Sequence, residues 1–204
     1  MKHTLHFFKA FIRQPRRVSS VIPTAHWNAH HICSTIPRNV RQFIVEYGPG
    51  TGVITDYLLY DRRIADDCVL YLIEQDPELA LALKEKYNHD KRVHVFTESA
   101  ENIRSIVRET ETVDHVIASI PFSTLPEDIA TTIIEHTHEL LKPDGELTVF
   151  QISKKVMGML QHHTGFTNIH AKHLYMNLPP LTVIRAKKLL KRNAPDVHSD
   201  SLHT

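Results

Sequence analysis

The stretch that most constrains this chain is Ile44-Val45-Glu46-Tyr47-Gly48-Pro49-Gly50-Thr51-Gly52-Val53-Ile54-Thr55, an apolar run that passes through three alternating glycines into a helical pattern. Glycine lets a backbone turn tightly and lets a ligand lie against bare amides, and open α/β sheets bind ligands at such strand ends. A dinucleotide fingerprint needs G-x-G-x-x-G and a phosphate loop needs G-x-x-x-x-G-K-[ST]; this segment has G-x-G-x-G and no lysine. It therefore predicts a cradle for a ligand other than a pyrophosphate, with Glu46 at its mouth.

The texture around this segment is that of a parallel sheet covered on both faces. Short apolar runs predict strands at Phe43–Tyr47, Val69–Ile73, Val93–Phe96, Val113–Ser119, Glu146–Gln151, Ile169–Met176 and Leu181–Lys187. Helical patterns fall between them at about Val53–Tyr60, Pro77–Tyr87, Ala100–Glu109, Pro126–Leu141 and Lys154–Gln161. The last two strands, joined by Asn177-Leu178-Pro179-Pro180, are predicted to pair antiparallel. The expected fold is a Rossmann-like α/β sheet of seven strands, mostly parallel with a final antiparallel strand, preceded by a helical extension. Residues 1–41 form that extension, 42–188 the ligand-binding domain, and 189–204 a basic, then polar tail.

Further site candidates lie at the ends of the other strands. Glu74, in Ile73-Glu74-Gln75-Asp76-Pro77, is placed where a carboxylate accepts the hydroxyls of a ribose, while Asp76 is placed to cap the next helix ahead of Pro77. Glu98-Ser99-Ala100 follows the third strand, with Ser99 readable either as a ligand neighbour or as an N-cap. The fourth strand runs into Ser119-Ile120-Pro121-Phe122-Ser123-Thr124-Leu125-Pro126.

Glu46-x-Gly48-x-Gly50-x-Gly52 resembles the first motif of class I S-adenosylmethionine-dependent methyltransferases. That resemblance implies S-adenosylmethionine as cofactor and S-adenosylhomocysteine as product. It implies that Glu46, Gly48, Pro49, Gly50, Thr51 and Gly52 lie against the amino-acid part, that Glu74 and Gln75 lie at the ribose, that Ser99 and Ala100 border the adenine, and that Ser119 also contacts the cofactor. Ser119-Ile120-Pro121-Phe122 is similar to the Asn-(Ile/Leu)-Pro-Tyr of ribosomal RNA adenine dimethylases, with serine in place of the asparagine. It is closer to the bacterial phospholipid N-methyltransferases, which also share the pattern Phe8-x-x-Phe11-x-x-x-Pro15-Arg16-Arg17-Val18-x-Ser20-Val21-x-Pro23 and the Asn177-Leu178-Pro179-Pro180 hairpin. The likeness implies transfer of methyl groups to the amine of a phospholipid head group such as phosphatidylethanolamine. Ser119, Ile120, Pro121 and Phe122 would then face the acceptor; Tyr47, His115 or a water would take its proton, and Phe122 and Tyr175 would hold the methylated cation. Methylation of adenine N6 in RNA is the alternative, and a non-catalytic cofactor-binding regulator is an alternative of another class.

Charge and composition narrow the partners. Residues 1–41 hold seven Lys/Arg and no carboxylate, whereas 42–184 hold 12 basic against 21 acidic residues. In a helix at residues 3–13, Leu5, Phe7, Phe8, Phe11 and Ile12 share one arc beside Lys2, Lys9 and Arg13. This front predicts contact with an anionic partner, a membrane surface first and RNA second, with no obligate protein partner. No apolar run reaches the roughly 20 residues that span a bilayer. The two cysteines, Cys33 and Cys68, follow no disulfide or zinc pattern, and the 16 histidines are not set among acidic or Cys ligands, so no metal is expected. These features predict a cytoplasmic protein, peripheral on the inner face of the membrane.

Overall fold

The structure, a computed structural model, describes residues 21–108, 111–151, 155–162, 165–175 and 180–189. The predicted helix at 3–13 and the polar end lie outside the described residues. In chain order the elements are α1 (Val21–Ile32), β1 (Phe43–Tyr47), α2 (Val53–Asp56, continued by a π-helical turn Tyr57–Arg62), β2 (Val69–Glu74) and α3 (Pro77–Lys86). There follow β3 (Val93–Thr97), a 3₁₀ segment Ala100–Ser105, β4 (Val113–Ala118), α4 (Glu127–Leu140), β5 (Leu141–Gln151), α5 (Lys155–His162), β6 (Phe166–Leu174) and β7 (Leu181–Lys188).

Seven strands form one sheet in the order β3-β2-β1-β4-β5-β7-β6. β1 pairs in parallel with both β2 and β4, so the strand order reverses there, and crevices at such reversals receive ligands. Register brings Tyr47 level with both Ile73 and Ala118, so the three central strands end together. β7 is antiparallel to β5 and to β6, as the sequence predicted for the last pair.

Alternation along the strands builds a core on each face. Val45, Tyr47, Val116, Ala118 and Val149 pack on one side with Ile133 and Ile134 of α4. Ile44, Leu70, Leu72 and Ile117 pack on the other with Ile32, Ile36 and Leu58. Each such fully buried aliphatic side chain contributes about 1.5–3 kcal/mol relative to exposure. The segment read as an extension thus enters the domain core from Ala29 onward.

Several local expectations are corrected. α1 already includes Val21; proline is tolerated in a first turn, which accommodates Pro23. Its end is held by the Arg185 guanidinium, which donates to the carbonyls of His31 and Ile32 and to Ser34 Oγ at 2.9 Å. The helix predicted at Ala100–Glu109 is a 3₁₀ segment carrying an Ile106 N–H to Ile103 carbonyl bond. α2 widens into a π turn, which lets the consecutive residues Tyr57, Leu58 and Leu59 all be buried before Arg63 ends it in a left-handed conformation. β5 starts at Leu141, directly after α4, with an irregularity in its pairing between Val113 and His115.

Candidate functional site

The crevice above β1 is made by three loops that the sheet brings to one edge. Gly48, Gly50 and Gly52 have φ of 66°, 60° and 82°, all left-handed, a conformation that costs other residues roughly 1–2 kcal/mol each. The spacing of the glycines is therefore dictated by the backbone path. The N–H of Gly48 donates to the Ile73 carbonyl at 2.9 Å, and Gly52 N–H closes a turn onto the Pro49 carbonyl at 2.9 Å.

The two carboxylates predicted for the site stand at its base. Glu46 is buried; Thr55 Oγ1 donates to its Oε2 at 2.7 Å, while Oε1 has no hydrogen-bond partner. Burial pushes its carboxyl up to about 7, against the lowering effect of the Thr55 bond. Glu74 is also buried, accepts the N–H of Gly50 at Oε2 (3.0 Å) and that of Asp76 at Oε1 (2.9 Å), and is pushed upward by burial. Asp76 caps α3 as expected, accepting from the N–H groups of Glu78 and Leu79. Gln75 is exposed beside Glu74.

The loop after β4 abuts the glycine loop. Ser119 N–H donates to the Tyr47 carbonyl at 2.9 Å. A Cβ at Gly48 would lie 3.0 Å from Ile120 Cγ2 and 3.8 Å from the carbonyl carbon of Ser119. Ser119 Oγ is buried and has no hydrogen-bond partner. The third loop joins through Glu98 N–H, which donates to the Glu74 carbonyl at 3.1 Å. Ser99 holds the N-cap position with no side-chain cap bond; Glu98 instead accepts from the Ser99 N–H and from Asn102 Nδ2, and Ala100 is buried. Glu46, Gly48–Gly52, Glu74, Ser99 and Ser119 are therefore gathered at one sheet edge.

Three of the expected acceptor-side groups are not offered to that crevice. Tyr47 is fully buried, its hydroxyl 3.1 Å from Thr137 Oγ1 of α4, and burial pushes the phenol far above its ordinary value. It is a core residue, turned away from the crevice toward α4. His115 pairs with Ile44, three residues before the end of β4, and so stands about 10 Å back from the crevice. Phe122 is 1% exposed within the α4-side core, so the cation–π contact expected of its ring is not available in this arrangement. Tyr175, by contrast, is 77% exposed just beyond β6. Pro121 turns the loop, its carbonyl accepting from Thr124 N–H at 2.9 Å.

Sequence reasoning missed a group on the outer side of the glycine loop. Tyr87 Oη lies 2.9 Å from the Gly52 carbonyl and 2.8 Å from Asp56 Oδ1, its single proton shared between the two acceptors, and Lys86 Nζ reaches the Thr51 carbonyl (3.0 Å) and Asp56 Oδ2 (2.6 Å). The apolar spacing of α3 says nothing of polar partners 35 residues away. Among the described residues no three His, Cys, Asp or Glu side chains are grouped to hold a metal, and no helix is long and apolar enough to cross a membrane.

A seven-stranded sheet of this order, with a glycine loop after β1 and acids ending β1 and β2, defines the S-adenosylmethionine-dependent methyltransferases. The profile of the methyltransferase small domain matches residues 28–174, and this chain belongs to that family. It is 24% identical to the ornithine lipid N-methyltransferase of Singulisphaera acidiphila over 147 residues, 71% of this chain and 76% of that protein. It is 27% identical to the ribosomal RNA small subunit methyltransferase A of Coxiella burnetii over 157 residues, 74% of this chain and 57% of that protein. In fold it is similar to the N-methyltransferase NodS of Bradyrhizobium japonicum, with a TM-score of 0.67 at 13% identity, covering 84% of this chain and 98% of that one. The residues present suit the cofactor of the class. A buried carboxylate oxygen lacking a partner matches an ammonium, and a second carboxylate with spare lone pairs matches two vicinal hydroxyls.

Proposed function

We propose that this protein transfers the methyl group of S-adenosylmethionine to the amine of a phospholipid head group at an anionic membrane surface. The observation that carries this reading is the loop after β4, where the Ser119 backbone abuts the glycine loop, its hydroxyl is buried without a partner, and the Phe122 ring is packed away. Such a loop suits a small amine better than a flat base, which needs an exposed aromatic face to stack on. The likeness to a lipid N-methyltransferase supports the same choice.

In this reading Glu46 holds the cofactor's ammonium through Oε1, and Glu74 with Gln75 holds its ribose. The backbone of Gly48, Pro49, Gly50, Thr51 and Gly52 lies beneath the amino-acid part, and Ser99 and Ala100 border the adenine. Bound there, the cofactor supplies a methyl group already activated by its sulfonium. The chain's contribution is then placement and exclusion of water, with Ser119 and Ile120 setting the approach of the amine. The stretch from Ser119 to Pro126 carries no titratable side chain and Tyr47 is buried, so water takes the proton of an ammonium acceptor.

Residues 2–17, with Phe7, Phe8 and Phe11 interleaved with Lys2, Lys9, Arg13, Arg16 and Arg17, deliver the enzyme to its lipid, each cation contributing about 1 kcal/mol near an anionic surface. Joint replacement of Phe8 and Phe11 by Ser should abolish sedimentation with anionic vesicles. Methylation of RNA adenine is the second reading, favoured by the ribosomal RNA methyltransferase relative and by the basic front. The test is parallel transfer of labelled methyl from S-adenosylmethionine to phosphatidylethanolamine vesicles and to ribosomal RNA. Label in lipid alone supports the proposal, label in RNA alone replaces it with the second reading, and label in neither leaves a non-catalytic binding module or an untested small acceptor.

A further inference from the structure

The glycine loop is held from outside as well as from within. From within, Gly50 is tied to Glu74, and the loop closes on itself through the Gly52–Pro49 bond. On the outer side, Lys86 Nζ and Tyr87 Oη, at the end of α3, reach the carbonyls of Thr51 and Gly52, the latter also accepting the Asp56 N–H at 2.8 Å where α2 begins. Both groups also meet the Asp56 carboxylate of α2, Lys86 at Oδ2 and Tyr87 at Oδ1, the single phenol proton being shared between Asp56 and the Gly52 carbonyl. Space at this contact is closely set. A Cβ at Gly52 would lie 2.3 Å from the Tyr87 hydroxyl and 3.1 Å from Leu83 Cδ2, so glycine is needed there for room as well as for its φ.

A trans peptide points its carbonyl and its N–H in opposite directions. Holding the carbonyls of Thr51 and Gly52 toward α3 therefore keeps their negative ends away from the side of Glu46 and Glu74, where the cofactor's polar groups are received. Burial and the bond to Asp56 push the Tyr87 phenol upward, which keeps it a donor at any ordinary pH. Lys86 also lies 5.1 Å from the centroid of the Tyr87 ring, so the two side chains brace each other.

We infer that Tyr87 and Lys86 are positioning residues for S-adenosylmethionine, fixing the glycine loop through the carbonyls of Gly52 and Thr51 without touching the cofactor. The inference rests on the cofactor class alone and is independent of whether the acceptor is lipid or RNA.

The test titrates S-adenosylhomocysteine into the full chain and its variants by calorimetry, alongside amide hydrogen exchange at Gly50 and Gly52. Tyr87→Phe should weaken binding about tenfold, the loss of a hydrogen bond worth roughly 1.4 kcal/mol. Exchange at the two glycine amides should quicken in the same variant. Lys86→Met should weaken binding about threefold to tenfold, and Lys86→Arg, which keeps a donor, should restore it. Because Lys86 is partly exposed, its variants fold even if Tyr87→Phe does not. Affinities of Tyr87→Phe and Lys86→Met within twofold of the natural protein, or weakening in Lys86→Arg equal to that in Lys86→Met, would overturn the inference.

Discussion

The backbone N–H of Gly50 donates to Glu74 Oε2 at 3.0 Å, so one carboxylate ties the loop after β1 to the end of β2. Its other oxygen takes the Asp76 N–H at 2.9 Å, and both oxygens keep lone pairs for a ligand. Glu74→Ala removes both ties and the ligand contact together. It should weaken S-adenosylhomocysteine binding by about tenfold to a hundredfold, as a charged hydrogen-bond acceptor contributes roughly 1.5–3 kcal/mol, while Glu74→Gln should retain part of it. Titration calorimetry on the two variants reads this difference.

The three glycines should not be equivalent. A Cβ at Gly50 meets nothing within 4 Å, whereas one at Gly52 strikes the Tyr87 hydroxyl. Gly50→Ala should therefore lose only the cost of a left-handed backbone, about 1–2 kcal/mol. Gly52→Ala should lose about 3 kcal/mol or more, because it adds overpacking to the same strain. Urea unfolding midpoints of the two variants give the comparison.

Glu46 gives the protein two opposite pH dependences. Its carboxyl is raised by burial to about 7 in the folded state from an ordinary 4.5, so the folded protein binds this proton more tightly than the unfolded chain. Its contribution favours folding fully below pH 4.5 and is withdrawn as pH rises toward 7. Binding of a cationic amino group needs the ionised form, so ligand affinity should instead climb through the same region and level off above pH 7. Glu46→Gln should flatten both profiles, as read by thermal unfolding and by calorimetry between pH 5 and 8.

Ser119 and Tyr47 separate chemistry from packing. Ser119→Ala deletes a hydroxyl that has no protein partner, so it should cost little stability and leave S-adenosylhomocysteine binding intact while slowing methyl transfer by about tenfold or more. Tyr47→Phe breaks the bond to Thr137 and should cost about 1 kcal/mol, with turnover and its pH profile unchanged. Initial rates with labelled cofactor, set beside melting curves, distinguish the two.

What could be read from the sequence was local. The sheet, the glycine loop and the carboxylates at 46 and 74 each announce themselves within a few residues, because hydrophobic period and backbone conformation are short-range properties. What escaped was set by tertiary pairing. Tyr47 and Phe122 both sit in motifs, yet packing against α4 turns their rings into the core. Tyr87 meets Gly52 across 35 positions and Arg185 meets the end of α1 across more than 150, and no periodicity carries either contact. The π turn at Tyr57–Arg62 likewise follows from burying three successive side chains, which the helical pattern does not foretell.

Whether the loop from Gly48 to Gly52, with Glu46 and Glu74, cradles S-adenosylmethionine is decided by calorimetric titration of the folded protein with S-adenosylhomocysteine. Saturable binding at one site per chain is expected, strengthening as pH rises toward 7 and weakened in Glu74→Ala. An absence of heat with the natural sequence, or binding that Glu74→Ala leaves untouched, would contradict it.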